Sequence, residues 1–81
     1  MPCRIGMTTD LEGRKTYWES EYRNLRDWQV LAGPISTKDE AQRIETQLAA
    51  KHGCESSPGG TDPDSPYAKW YVYGFNHDGK K

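Results

Sequence analysis

Hydrophobic and polar residues alternate from the start of the chain. Cys3, Ile5 and Met7 point one way and Arg4 and Gly6 the other, the period-two pattern of a short strand over residues 2–7. Thr9 followed three residues later by Glu12 is a capping-box pattern, which predicts a helix from about Asp10 to Tyr22. In that helix Leu11, Arg14 and Trp18 stand at i, i+3 and i+7, so an arginine lies on or beside the inward face. After a polar break at Asn24 to Asp27, Trp28 to Ala32 alternates as a second strand, with Gly33-Pro34 expected to end it. Thr37 and Glu40 repeat the capping box, and the helix they open runs to His52 and stops at Gly53. Ala41, Ile44, Leu48 and Ala49 form its apolar stripe, and Glu45 stands at the edge of that stripe.

Residues 55–66 hold three prolines and two glycines with almost nothing to bury, and read as a loop. The strongest strand follows at Lys69 to Phe75, with large side chains on both faces, as expected at the centre of a sheet. Asn76-His77-Asp78-Gly79 is turn chemistry, yet only Lys80 and Lys81 stand behind it. The order β-α-β-α-β predicts an α/β (α+β) domain with a small, three-stranded, mainly antiparallel sheet and two flanking helices. All of residues 1–81 belong to it.

Composition narrows this picture. At 33% hydrophobic residues the core is small, and three Trp and five Tyr supply much of its area, so Trp18, Trp28 and Trp70 read as core before they read as base-stacking platforms. Eleven basic against twelve acidic side chains give a formal net charge of -1, too balanced for strong sequence-independent attraction to a phosphate backbone. Any nucleic-acid surface is then a local patch. The absence of a signal peptide or long apolar run makes a soluble, cytoplasmic domain the expectation, with no membrane span. In that compartment Cys3 and Cys54 are expected as free thiols. A zinc site with His52 and His77 is the weaker alternative, since the ligands lack paired short spacing. His52 itself reads as a capping residue near the helix C-terminus.

The turn at the chain end becomes intelligible when the end is read into the beginning. Residues 70–81, from Trp70 through Tyr71-Val72-Tyr73 to Lys81, followed by Met1 through Arg4-Ile5-Gly6 to Leu11, resemble the opening hairpin of the GIY-YIG endonuclease superfamily. Tyr71-Val72-Tyr73 resembles the first name motif and Arg4-Ile5-Gly6 the second; Arg14 falls at the helix arginine, and Glu45 resembles the metal-binding glutamate. The resemblance spans nearly the whole chain and requires a circular permutation, which is physically cheap where termini lie side by side.

The resemblance implies a site in which Arg14, Glu45 and Tyr73 are catalytic and Glu45 holds a Mg²⁺ ion whose waters fill its other positions. Arg4, Arg14, Lys15 and Lys38 would contact DNA. Arg4 stands where the family carries a tyrosine that is implicated in activating the attacking water. An arginine, always protonated, is no general base at neutral pH. The expectation is therefore a nuclease-like domain that binds a phosphate-rich ligand, foremost DNA, with hydrolysis weak or lost. Set against it are an ion pair between Arg14 and Glu45 and a purely structural Tyr73. A non-enzymatic module for a protein partner is the competing class, and an active Mg-dependent endonuclease ranks third.

Overall fold

The computed structural model describes residues 2–56 and 68–81. The elements run β1 (Cys3–Thr8), α1 (Leu11–Glu21), β2 (Arg26–Ile35), α2 (Lys38–His52), β3 (Glu55–Ser56) and β4 (Trp70–Asn76). They form an α+β fold whose sheet has four strands in the order β2-β4-β1-β3, rather than the three expected. The extra strand is Glu55–Ser56, at the head of the stretch read as a loop; it pairs parallel with β1, so the sheet is mixed. The remainder of that loop lies outside the described residues.

Burial of both faces explains why β4 is central. It pairs antiparallel with β1 on one side and β2 on the other. The first and last strands thus form one antiparallel pair, with Gly6 opposite Tyr73 and Arg4 opposite Phe75. Side chains alternate across it. Ile5, Met7, Trp70 and Val72 pack with Ile35 and with Ala41 and Ala49 of α2. Tyr73 and Phe75 look to the opposite face, where they meet Tyr22, Trp18, Leu11 and Trp28.

Local chemistry sets the element ends, and it corrects two expectations. Helix α1 is capped by Asp10, whose carboxylate accepts from the Gly13 N–H at 3.1 Å, and not by Thr9. Gly13 permits this, because a Cβ there would run into the Asp10 carboxylate. Strand β2 continues through Gly33 and a cis Pro34 to Ile35. It can do so because it is an edge strand, where a missing N–H is tolerated. Gly33 has φ +129°, and a side chain there would press on the β4 backbone at Trp70 and Tyr71. Helix α2 ends as the sequence predicts: the Thr37 hydroxyl accepts from the Glu40 N–H at 3.3 Å, and Gly53 takes the left-handed conformation at φ 65°.

The terminal turn needs no further strand. The His77 N–H donates to the Pro2 carbonyl at 3.1 Å, and the Asp78 N–H to the Arg23 carbonyl at 2.9 Å. The Asp78 carboxylate accepts from Asn24 at 2.8 Å and from Arg26 at 3.0 Å. These bonds fasten the chain end to the connection between α1 and β2, beside the chain start.

Cys3 and Cys54 form a disulfide with their Cα atoms 4.9 Å apart, which corrects the expectation of free thiols. It also removes both sulfurs from any zinc site with His52 and His77. Among the described residues no cluster of three or more ligating side chains occurs. A persistent disulfide belongs to an oxidising environment, so the cysteines give no support to a cytoplasmic location. No helix among the described residues is long and apolar enough to cross a membrane.

Candidate functional site

Strand β1 presents Arg4 on the aromatic face, as its alternation requires. Its guanidinium lies 4.6 Å from the centre of the Trp18 ring, donates to the Tyr22 hydroxyl at 3.2 Å and pairs with the Glu55 carboxylate at 3.5 Å. The Arg4 side chain is only 13% exposed, and its Nε is buried with no hydrogen-bond partner among the described residues. This arginine is neither a solvated edge residue nor saturated.

Tyr73 lies across Gly6 on the same face, and the two are matched in shape: any Cβ at position 6 would collide with the phenol ring. The Trp18 indole N–H donates to the Tyr73 hydroxyl at 2.7 Å, and the Tyr73 ring stacks on Trp28 at 4.7 Å. The residue is 2% exposed. Burial pushes its phenol above the ordinary range, while the Trp18 hydrogen bond and then the Arg14 and Arg4 cations pull it down, and Glu45 pushes it up.

Glu45 departs from its expected place. It lies between Ala41 and Ala49 in the fully buried row of α2, while Ile44 and Leu48 are only partly buried. Two alanines let the helix close on the sheet and carry the carboxyl in with it. Glu45 is 2% exposed and its Oε2 has no hydrogen-bond partner among the described residues. Burial raises its pKa to about 7, with Arg4 pulling in the opposite direction. A carboxyl poised there is half protonated near neutral pH, so Arg4 and Arg14 outweigh it in charge.

Arg14 is half-buried on α1, with its guanidinium 5.4 Å from the centre of the Tyr17 ring. It makes no ion pair with Glu45 among the described residues, so the two helices are not joined that way. Arg4, Arg14 and Glu45 thus each act electrostatically on Tyr73, but they do not share one surface: Arg4 and Tyr73 face the aromatic side of the sheet, and Glu45 packs with α2 on the other. Lys15 is exposed on α1, and Lys38 lies 5.9 Å from the centre of the Trp70 ring, on the α2 face of β4. Neither figures among the charges that act on Tyr73 or Glu45.

Three partners of this cluster escape a reading of residue patterns. Trp18 serves as a donor as well as core, Tyr22 holds Arg4, and Glu55 neutralises it. A signal for Glu55 exists only in retrospect, since Cys3-Arg4 and Cys54-Glu55 are parallel dipeptides.

A Mg²⁺ ion fits the donor set poorly. This cation keeps several waters, and an acid 2% exposed with its pKa raised to about 7 offers neither room for a hydrated ion nor a reliably ionised oxygen. A cleft of about 470 Å³ lies elsewhere, beside Asp27, Gln29, Leu31, His52 and the disulfide. It shares Arg4 with the cluster but not Arg14, Glu45 or Tyr73. Set against known proteins, the chain matches no family model, no curated protein and no solved structure.

Proposed function

We propose that this domain is a circularly permuted relative of the GIY-YIG nucleases that binds a phosphate-rich ligand, foremost DNA, with hydrolysis weak or lost. The carrying observation is the antiparallel pairing of the two terminal strands, which sets Arg4 and Tyr73 on one face, with Arg14 and Glu45 within electrostatic reach of Tyr73. Arg4 and Arg14 supply two cations, set against Glu55, which pairs with Arg4, and Glu45, whose pKa burial raises to about 7. The Arg4 guanidinium, whose Nε has no hydrogen-bond partner among the described residues, has donor capacity suited to an anion. Weak hydrolysis follows from the chemistry: Arg4 accepts no proton from water, and Tyr73 is buried with its hydroxyl engaged by Trp18.

Titration of a labelled duplex and a branched DNA at low salt tests the binding half. Arg4→Ala and Arg14→Ala are expected to weaken binding and flatten its salt dependence; unchanged binding in both removes the proposal. Incubation with plasmid and branched DNA plus Mg²⁺ or Mn²⁺ tests the other half. Cleavage that Glu45→Ala abolishes would establish an active endonuclease instead.

A second reading, a module for a protein partner, draws on β2. This ten-residue edge strand displays Val30 at 48% exposure. Co-purification of a protein without DNA retardation favours it.

A further inference from the structure

The disulfide and the ion pair on Arg4 occupy neighbouring rungs of the same two strands. Arg4 pairs in register with Glu55, and Cys3 and Cys54, one residue before each, are joined covalently. Strand β3 is only two residues long, so its own ladder is a weak hold on β1. The Glu55 side chain is 64% exposed, and an ion pair that open to solvent has little strength of its own. What keeps this carboxylate at the guanidinium is the tether beside it, which makes the encounter intramolecular and raises its effective concentration.

We propose that Glu55 is a built-in competitor for the anion site at Arg4, clamped there by the Cys3–Cys54 disulfide and released by a dithiol reductant. The inference rests on the phosphate-binding reading above. One thiolate of the reductant attacks a sulfur of the bridge to form a mixed disulfide and expel the other cysteine thiolate; its second thiol then attacks the mixed disulfide. The two protein sulfurs end as thiols, having gained two electrons and two protons, and the reductant ends as its own disulfide. With the bridge open, β3 leaves β1 and Glu55 leaves Arg4. The Nη1 it occupied, still steadied by Tyr22 and Trp18, then faces an incoming phosphate oxygen.

The test is fluorescence anisotropy of a labelled DNA duplex at low salt, with oxidised and dithiol-reduced protein. Wild type, Glu55→Gln and Arg4→Ala are compared, and near-UV circular dichroism follows folding. Glu55→Gln keeps the disulfide, so it reports on the competitor even if reduction loosens the fold. In the oxidised state it is expected to bind roughly two- to fivefold tighter than wild type, the range an exposed ion pair allows. Reduction is expected to tighten wild type and leave Glu55→Gln unchanged. If oxidised wild type and Glu55→Gln bind alike while Arg4→Ala binds more weakly, the clamp is overturned and the anion site stands. If Arg4→Ala binds as wild type does in both redox states, or nothing binds, the site fails and takes the clamp with it.

Discussion

On the α2 face of the sheet the core is mainly aliphatic and closed: Ile5, Met7 and Val72, with Trp70 beside them, meet two alanines of a well-capped helix, and the disulfide fastens the margin. On the opposite face α1 keeps every residue at least partly exposed, and the core is a set of rings whose polar ends bond to one another, Trp18 to Tyr73 and Arg4 to Tyr22. The first face gains its stability from area and chain connectivity, and the second depends on whether each polar tip keeps its partner. A small domain can hold a charged cluster next to its core because one face is built without such demands. Glu45 is the exception, a carboxyl carried by α2 into the aliphatic side.

The largest test of this contrast is the disulfide. It closes a span of 51 residues, for which chain-entropy arguments give about 4 kcal/mol. Cys3→Ser/Cys54→Ser, or wild type in a strong reductant, is expected to lose that much in urea denaturation. A loss under about 1 kcal/mol would mean that the aliphatic face holds β1 without the crosslink.

Glu45 comes next and acts with the opposite sign. Its pKa of about 7 in the folded protein exceeds the ordinary value of 4.5, so the folded state binds its proton more tightly. Its contribution to stability is full below pH 4.5, falls as pH rises towards 7 and levels off above that. The whole drop is on the order of 3 kcal/mol. Glu45→Gln is expected to flatten this part of the stability profile, leaving the variant more stable than wild type at alkaline pH and similar in acid. A variant less stable throughout would show that ionised Glu45 is stabilised by its surroundings, Arg4 foremost.

Much of the contrast was readable from residue patterns, because packing faces obey periodicity. The α2 stripe and its caps follow directly from spacing, and so does the placing of Leu11, Arg14 and Trp18 on the inner side of α1. Strand β4 declared itself central through large residues on both faces. What escaped were features that periodicity does not carry. A two-residue strand has no pattern, and a crosslink between Cys3 and Cys54 is invisible without the fold. The continuation of β2 through Gly33-Pro34 depended on its edge position. Glu45 was placed one step from its true setting because alanine's small size, rather than the hydrophobicity of Ile44 and Leu48, decides which row of α2 touches the sheet. The neighbours of Arg4 could not be counted before β3 was known.

The aromatic face makes its own prediction. Trp18→Phe keeps a ring but deletes the donor to a buried hydroxyl, which is expected to cost roughly 1–3 kcal/mol. Removing the acceptor as well, in Trp18→Phe/Tyr73→Phe, is expected to recover part of that loss, since two apolar ends no longer leave a polar atom stranded. Strict additivity in the double-mutant cycle would show that the 2.7 Å bond contributes packing alone.

The helix caps give the smallest effects and the sharpest separation of the two faces. Asp10→Ala and Thr37→Ala each remove a side-chain acceptor from a helix N-terminus, at about 1 kcal/mol apiece. The consequences differ in reach. Helix α2 buries Ala41, Glu45 and Ala49 against the sheet, so it cannot open without opening the core, and Thr37→Ala is expected to lower global stability by the full amount. Helix α1 has no fully buried residue, so its first turn can fray alone. Asp10→Ala is then expected to speed amide hydrogen exchange in that first turn while the urea midpoint moves less than for Thr37→Ala. Equal midpoint shifts, with no local gain in exchange, would mean that Trp18 and Tyr22 bind α1 into the same cooperative unit as α2.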